Sequence, residues 1–326
     1  MSQSQTQSKS SSRLLVEPRY SLGDPGRLRA RQPALAALMS MLLPGLGQLY
    51  NGEANKAIWL FLVFALWVVP AMAVVALYLP DALMMPALTI GLVATLATWC
   101  WGMVDAWRGA RARPVHALRD WQTSGLYGLV FVACNGLVLP LLISQVRNHL
   151  VESFRIPSQS MEPSVLMGDV LFADKRYNCP GCGLPVARGD IAIFTYPNDR
   201  TLRYIKRIIG LPGDRVQIHG QEVIVNGVSL SGPGQGGPGA IVTERIGERQ
   251  WQVSWATPPA ERAPQDLDLL VAPGMVFVLG DRRTTSADSR SFGSVPLQDV
   301  VGKARQVWFS RDSNGVRWER LGQVLH

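Results

Sequence analysis

Three apolar runs in the first half of the chain, at 57–78, 82–107 and 125–143, each have the length needed to cross a bilayer core of about 30 Å as a helix. Runs of this kind have no polar face to show to water, so lipid is the surrounding that suits them. A fourth run, 34–50, is shorter and is interrupted by "PGLGQLYNG". Charge placement decides how it counts. Arg13, Arg19, Arg27, Arg29 and Arg31 precede it, and the arginine-rich connector "RGARARPVHALRD" follows the second long run. Both segments belong on the cytoplasmic side by the positive-inside rule. Crossings at the long runs alone achieve this and leave everything after Gln145 outside. A further crossing at 34–50 would put the connector on the wrong side, so that piece is expected to be re-entrant or interfacial.

Composition supports the same class: only 17% of the 326 residues are charged while 47% are apolar. The net charge of +8 does not point to nucleic acid, because the arginines flank apolar runs and no basic patch carries interleaved aromatics. The opening "MSQSQTQSKSSS" is polar and of low complexity, so residues 1–33 read as a basic, disordered leader. It is not a cleavable signal peptide, since the apolar run begins only near Ala34 and lacks a small-residue cleavage site before the next membrane segment.

After the membrane region, 34–150, the pattern changes. "DVLFAD", "DIAIFTY", "RYIKRIIG", "DRVQIHG", "EVIVNG", "MVFVLGD" and "ARQVWF" alternate or run apolar over a few residues between Gly, Pro and Asp. Such spacing predicts antiparallel sheets. The fold class expected is therefore transmembrane α-helices followed by a mainly-β domain at 151–326, with an inserted strand and loop region at about 215–272. That insertion includes a flexible, glycine-rich loop, "SLSGPGQGGPGA", at 229–240.

The segment "FRIPSQSMEPSV" holds Ser158 and Ser160 just where the chain leaves the last apolar run. A serine is a weak nucleophile unless a base removes its proton. Histidine is a poor candidate here: His116 is placed in the cytoplasmic connector, His149 abuts the membrane, His219 sits in the turn "IHGQ", and His326 ends the sequence. A lysine serves if burial lowers its pKa enough to populate the neutral amine. "RTLRYIKRIIGLPGD" offers Lys206 between Ile205 and Ile208. Separately, Ser160 could be a helix cap, Lys206 a solvated strand lysine and Ser286 a turn residue.

Taken together, "PSQSMEPSVLMGD", "RYIKRIIGLPGD" and "GDRRTTSADSRSFGSVP" resemble, in order, three motif blocks of bacterial type I signal peptidase. This is a membrane-bound protease with a serine and lysine dyad, and the resemblance spans about half of the chain. It implies Ser160 as nucleophile and Lys206 as general base, with Ser158 as oxyanion donor beside the Ser160 backbone N–H. It further implies that Ser286 orients Lys206 and that Asp281, Asp288 and Arg290 form ion-pair support beneath the site. Phe154, Ile156, Met161, Val165, Tyr204 and Ile205 would line small pockets for an extended peptide with small side chains at alternate positions. One position departs from the family pattern: Arg282 stands where Asn is usual.

The resemblance implies a membrane-bound endopeptidase of the bacterial plasma membrane, multi-pass, with its N-terminus cytoplasmic and its β domain outside. Its substrates would be signal peptides of secretory preproteins, with membrane lipid and the export machinery as further partners and no metal, cofactor or nucleic acid. Two other readings use the same residues. One is a specialised Ser-Lys peptidase with a narrow precursor client, including a self-cleaving relative of repressors, against which the spans count. The other is a catalytically idle membrane scaffold.

Four cysteines remain. Cys100 and Cys134 fall within spans and read as small apolar residues. Cys179 and Cys182 in "NCPGCG" supply only half of a structural zinc site, and outside the cytoplasm a local disulfide is the expectation.

Overall fold

The computed structural model describes residues 28–79, 81–113, 115–179, 181, 184–232, 239–255 and 266–325. A short strand β1 (Leu28–Ala30) leads into α1 (Pro33–Leu42) and α2 (Leu46–Tyr50). Next, α3 (Ala54–Leu66) continues through a π-helical segment, Trp67–Ala71, into α4 (Met72–Tyr78). Pro70 lies in that segment, where looser backbone bonding accommodates a residue without an N–H. The long helix α5 (Asp81–Ala112) is followed by strand β2 (Val115–Ala117), and α6 (Ser124–Ala133) continues through a second π segment, Cys134–Val138, into α7 (Leu139–His149).

Among the described residues, Ala82–Ala112 and Ser124–His149 are long and apolar enough to cross a membrane. Trp59 (67%), Ile90 (69%) and Leu129 (65%) stand out from α3, α5 and α6 largely uncovered by protein. Such surface is unfavourable in water and suited to lipid.

Antiparallel pairing joins β1 to β2, with Leu28 opposite Ala117. The expected disordered leader therefore ends sooner than residue 33, because the connector supplies its last residues with a hydrogen-bonding partner; residues 1–27 lie outside the described set. Between the strands, α1 and α2 form a hairpin whose ends meet: the Gln32 N–H donates to the Tyr50 hydroxyl at 3.3 Å. "PGLG" makes the bend. Gly45 has φ +93°, and a Cβ on Gly47 would lie 2.1 Å from the Ala36 carbonyl oxygen. Gln48 donates to the Gly102 carbonyl (2.8 Å) and Asn51 to the Ala106 carbonyl (2.8 Å), tying the hairpin to α5.

Beyond α7 the chain is mainly strands. In order they are β3 (Val151–Arg155), β4 (Asp169–Asp174), β5 (Ile191–Thr195), β6 (Arg203–Gly210), β7 (Arg215–His219), β8 (Glu222–Val225), β9 (Val228–Ser229), β10 (Ile241–Ile246) and β11 (Arg249–Ser254). They continue with β12 (Leu267–Leu270), β13 (Met275–Leu279), a helical turn α8 (Ser289–Phe292), β14 (Val295–Pro296), β15 (Val300–Asp312) and β16 (Gly315–Val316). The main sheet runs β14-β13-β6-β5-β15-β4-β3, with β16 paired to β15. Every pairing in it is antiparallel. The inserted region forms a sheet β12-β7-β8-β9 and a separate β10-β11 hairpin. Residues 233–238 of the glycine-rich loop lie outside the described residues.

Two cores bracket the strand that carries Lys206. One packs Trp251, Val253, Trp255, Val216 and Phe277 between the insertion and the main sheet. The other packs Ile156, Met161, Val165, Leu171 and Ile205 under the serine-bearing loop. The β domain abuts the end of α4: Arg305 hydrogen-bonds the Leu77 carbonyl, and the Arg176 guanidinium lies 4.3 Å from the Tyr78 ring centroid.

Candidate active site

Ser160 sits in a run of tight turns after β3, at 157–168, closed by hydrogen bonds from Glu162 N–H to the Gln159 carbonyl and from Val165 N–H to the Met161 carbonyl. Met161 and Val165 are fully buried, so the turn is pinned by its own apolar side chains. Its other anchor is backbone: the Arg282 N–H donates to the Ser160 carbonyl at 3.2 Å. Gly280 lies against the same carbonyl. A Cβ there would come within 2.6 Å of the Ser160 oxygen and 2.1 Å of the Ser286 hydroxyl, so the close approach requires glycine.

Lys206 projects from β6, opposite Ala192 of β5. The small alanine leaves room for the lysine stem, and the side chain reaches across to Ser160 with Nζ 2.7 Å from Oγ. Nζ also donates to the Ile205 carbonyl at 2.9 Å, and it sits 5.4 Å from the Tyr204 ring centroid. Lys206 is only 3% exposed. Burial lowers its pKa from 10.5 to about 8, against the opposing pull of Asp288 and Asp281.

Of the remaining expected residues, Ser158 is exposed and its Oγ lies 3.2 Å from that of Ser160. Ser286 is buried against Gly280. Its hydroxyl makes no hydrogen bond of normal geometry, to Lys206 or otherwise, although it lies near enough to Asp288 to help hold that carboxyl ionised. Asp281 receives two bonds from Arg207, at 2.9 and 2.7 Å, with both side chains fully buried. Asp288 receives two from the Arg290 guanidinium, both 2.8 Å, one from the Arg290 N–H at 3.3 Å and one from the Gly280 N–H at 3.0 Å. Those contacts hold the Asp288 carboxyl below the usual range against its desolvation.

Phe154 and Tyr204 are half-buried, while Ile156 and Ile205 are buried. Met161 and Val165 have no surface to offer a peptide and act from beneath, through packing. Cys179 is disulfide-bonded; Cys182 lies outside the described residues. Cys100 and Cys134 are free. Among the described residues, no three acidic, histidine or cysteine side chains converge to hold a metal ion.

Several residues of the site have no counterpart in the sequence reading. Arg207 neighbours Lys206 but, one residue on along a strand, points to the opposite face and there binds Asp281. Arg283 pairs with Glu244 of β10 at 2.6 Å, a contact that joins the inserted hairpin to the last motif block. Burial pushes the Glu244 carboxyl up, against the pull of Arg283. At the unusual position, the Arg282 side chain hydrogen-bonds Gln159 and lies 3.1 Å from Glu162, spanning the turn around the serine. Gly280 could have been suspected only from its place before Asp281.

The family described as signal peptidase, peptidase S26, matches residues 130–309. Signal peptidase I of Pseudomonas aeruginosa is 32% identical over 232 residues, covering 61% of this chain and 78% of that protein. Signal peptidase I of Pseudomonas fluorescens is 34% identical over 212 residues, covering 56% of this chain and 72% of that protein. A crystal structure of a signal peptidase I from Enterococcus faecalis is 32% identical and covers 36% of this chain and 96% of that one, but with a TM-score of 0.25 the superposition adds nothing to the sequence match.

Proposed function

Since the chain belongs to the signal peptidase family, peptidase S26, we propose that Ser160 and Lys206 are the pair with which it works. It is a membrane-bound serine endopeptidase of the signal peptidase I type, and it removes signal peptides from preproteins. The observation that carries the assignment is the 2.7 Å contact between a buried lysine amine and the serine hydroxyl.

In this reading the neutral Lys206 amine accepts the Ser160 proton as Oγ bonds to the scissile carbonyl carbon. The oxyanion that forms is held by the Ser158 hydroxyl and the Ser160 backbone N–H. Collapse breaks the C–N bond, and the proton held on Nζ passes to the leaving amine. Water, deprotonated by the same amine, then hydrolyses the ester on Oγ and restores both side chains. Phe154 and Tyr204 supply the accessible apolar surface for the peptide; Ile156, Ile205, Met161 and Val165 shape it from within. Ser286 acts on Asp288 and Gly280 rather than by a direct bond to Lys206.

The proposed topology draws on the same arrangement. The β1-β2 ribbon keeps Leu28–Ala30 beside the connector strand Val115–Ala117, while the ends of α4 and α7 adjoin the β domain. That supports crossings by 54–78, α5 and 124–149, a re-entrant α1-α2 hairpin, a cytoplasmic N-terminus and an extracytoplasmic β domain. Lipid and the export machinery are then neighbours of the enzyme, and the disulfide at Cys179 suits an oxidising exterior.

Full-length protein carrying Ser160→Ala, and separately Lys206→Arg, tests the assignment on a preprotein substrate. Both changes abolish cleavage, since guanidinium cannot act as a base. Substantial activity in either variant would remove that residue from the chemistry, and activity in both would leave the dyad without support.

A further inference from the structure

On the helical side, far along the chain from the serine and lysine, a cavity of about 690 Å³ opens between the start of α1, the end of α2 and the start of α6. Arg31 lines it and is only 8% exposed. Its guanidinium lies 4.2 Å from the Tyr50 ring centroid, yet Nε and one terminal nitrogen are buried without any hydrogen-bond partner. The Tyr127 hydroxyl, on the same cavity wall, is likewise buried and unpartnered. Gln32 and Thr123, which stand at the N-cap positions of α1 and α6, line it too, so two helix N-termini add their positive ends. Among the described residues, no acidic side chain is on the wall.

A buried guanidinium with idle N–H groups is costly unless an anion meets it. We propose that this cavity binds a phosphate group, held by the Arg31 guanidinium and the Tyr127 hydroxyl. A planar guanidinium fits phosphate oxygens in pairs, and helix N-termini complement the same charge. The surroundings favour phosphate carried on a lipid headgroup. Leu35 lies on the cavity wall and is itself exposed, and Leu38 and Leu129 continue that outward apolar surface along α1 and α6. Acyl chains would run along this surface while the headgroup enters between the helix ends.

Native mass spectrometry of the detergent-purified full chain, titrated with phosphatidylglycerol, tests this against Arg31→Gln and Tyr127→Phe. Thermal unfolding of the same proteins with and without inorganic phosphate runs in parallel. The wild type should bind one phospholipid at least about tenfold more tightly than Arg31→Gln, with a smaller loss in Tyr127→Phe, which deletes a single oxygen. Displacement of lipid by inorganic phosphate would show one shared site; stabilisation by phosphate without lipid binding would assign it to the free anion. Tyr127→Phe keeps the test open if Arg31→Gln fails to fold. The proposal fails if the wild type binds neither ligand, or if folded variants bind both as tightly as the wild type.

Discussion

The Lys206 amine lies 2.7 Å from the Ser160 hydroxyl across 46 residues of sequence, in a site where the lysine is almost wholly removed from water. Sheet register produces this contact. Lys206 faces Ala192, whose side chain ends at Cβ, while Met161 and Val165 anchor the serine turn by packing with Ile205. Desolvation that keeps the amine partly neutral is also a strain on the fold, because the protonated form is buried at a loss.

That cost gives the first prediction. The folded-state pKa of Lys206, about 8, is below the ordinary 10.5, so the unfolded chain holds this proton more tightly. Stability therefore rises with pH between these two values, and the full penalty, roughly 3 kcal/mol at most, is present below pH 8. Lys206→Met should be inactive yet more stable at pH 7 by about 1–3 kcal/mol, the gain fading towards pH 10. Denaturant unfolding at several pH values measures it, and a pH-independent difference would contradict the desolvation account.

Gly280 provides a second. An alanine methyl would meet the Ser160 carbonyl oxygen at 2.6 Å and the Ser286 hydroxyl at 2.1 Å, contacts that force the turn carrying Ser160 to move. A displacement near 1 Å at a reacting group costs about a hundredfold in rate, so Gly280→Ala should lose about that much of kcat in a peptide cleavage assay. Near-normal kcat would mean that this close approach does not position the serine.

Asp281 and Arg207 are paired with both side chains fully buried. Asp281→Asn leaves the guanidinium in the interior without its counter-charge and should destabilise the domain by about 3–5 kcal/mol. Adding Arg207→Met should recover much of the loss, a non-additivity that a double-mutant cycle reads directly. Independent effects of the two changes would show that the pair is not an energetic unit.

Membrane orientation makes the fourth testable. A reporter fused after Arg113 should be cytoplasmic and one fused after Gln145 external: the ribbon pairs Leu28–Ala30 with Val115–Ala117, and the positive-inside rule predicts that their shared side is the cytoplasm. The opposite pattern would overturn the three-crossing arrangement.

Much of this was legible in the residues. Strands such as Arg203–Gly210 and Asp169–Asp174 have the bounds that their quoted segments suggest, because Gly, Pro and Asp punctuate them. That Ser160 and Lys206 come together was legible through their motif blocks. Arg207, Glu244 and Arg283 were not, since each owes its role to a partner 74 or 39 residues away that only topology brings near. Gly280 was hidden for a related reason: what makes it necessary is the carbonyl of another loop. The Leu28–Ala30 strand escaped because its own composition is that of a leader, and its partner lies beyond the helices α1 to α5.

The most direct test of the dyad is kcat/KM for preprotein cleavage by the full-length enzyme across pH 6–10. This ratio reports the ionisation of the free enzyme's base. With Lys206 as base, the rate climbs about tenfold per pH unit on the acid side and levels off around pH 8, where half of the amine is neutral. A profile governed instead by a group titrating near pH 6.5, as an ordinary histidine does, would contradict the assignment of Lys206 as the base for Ser160.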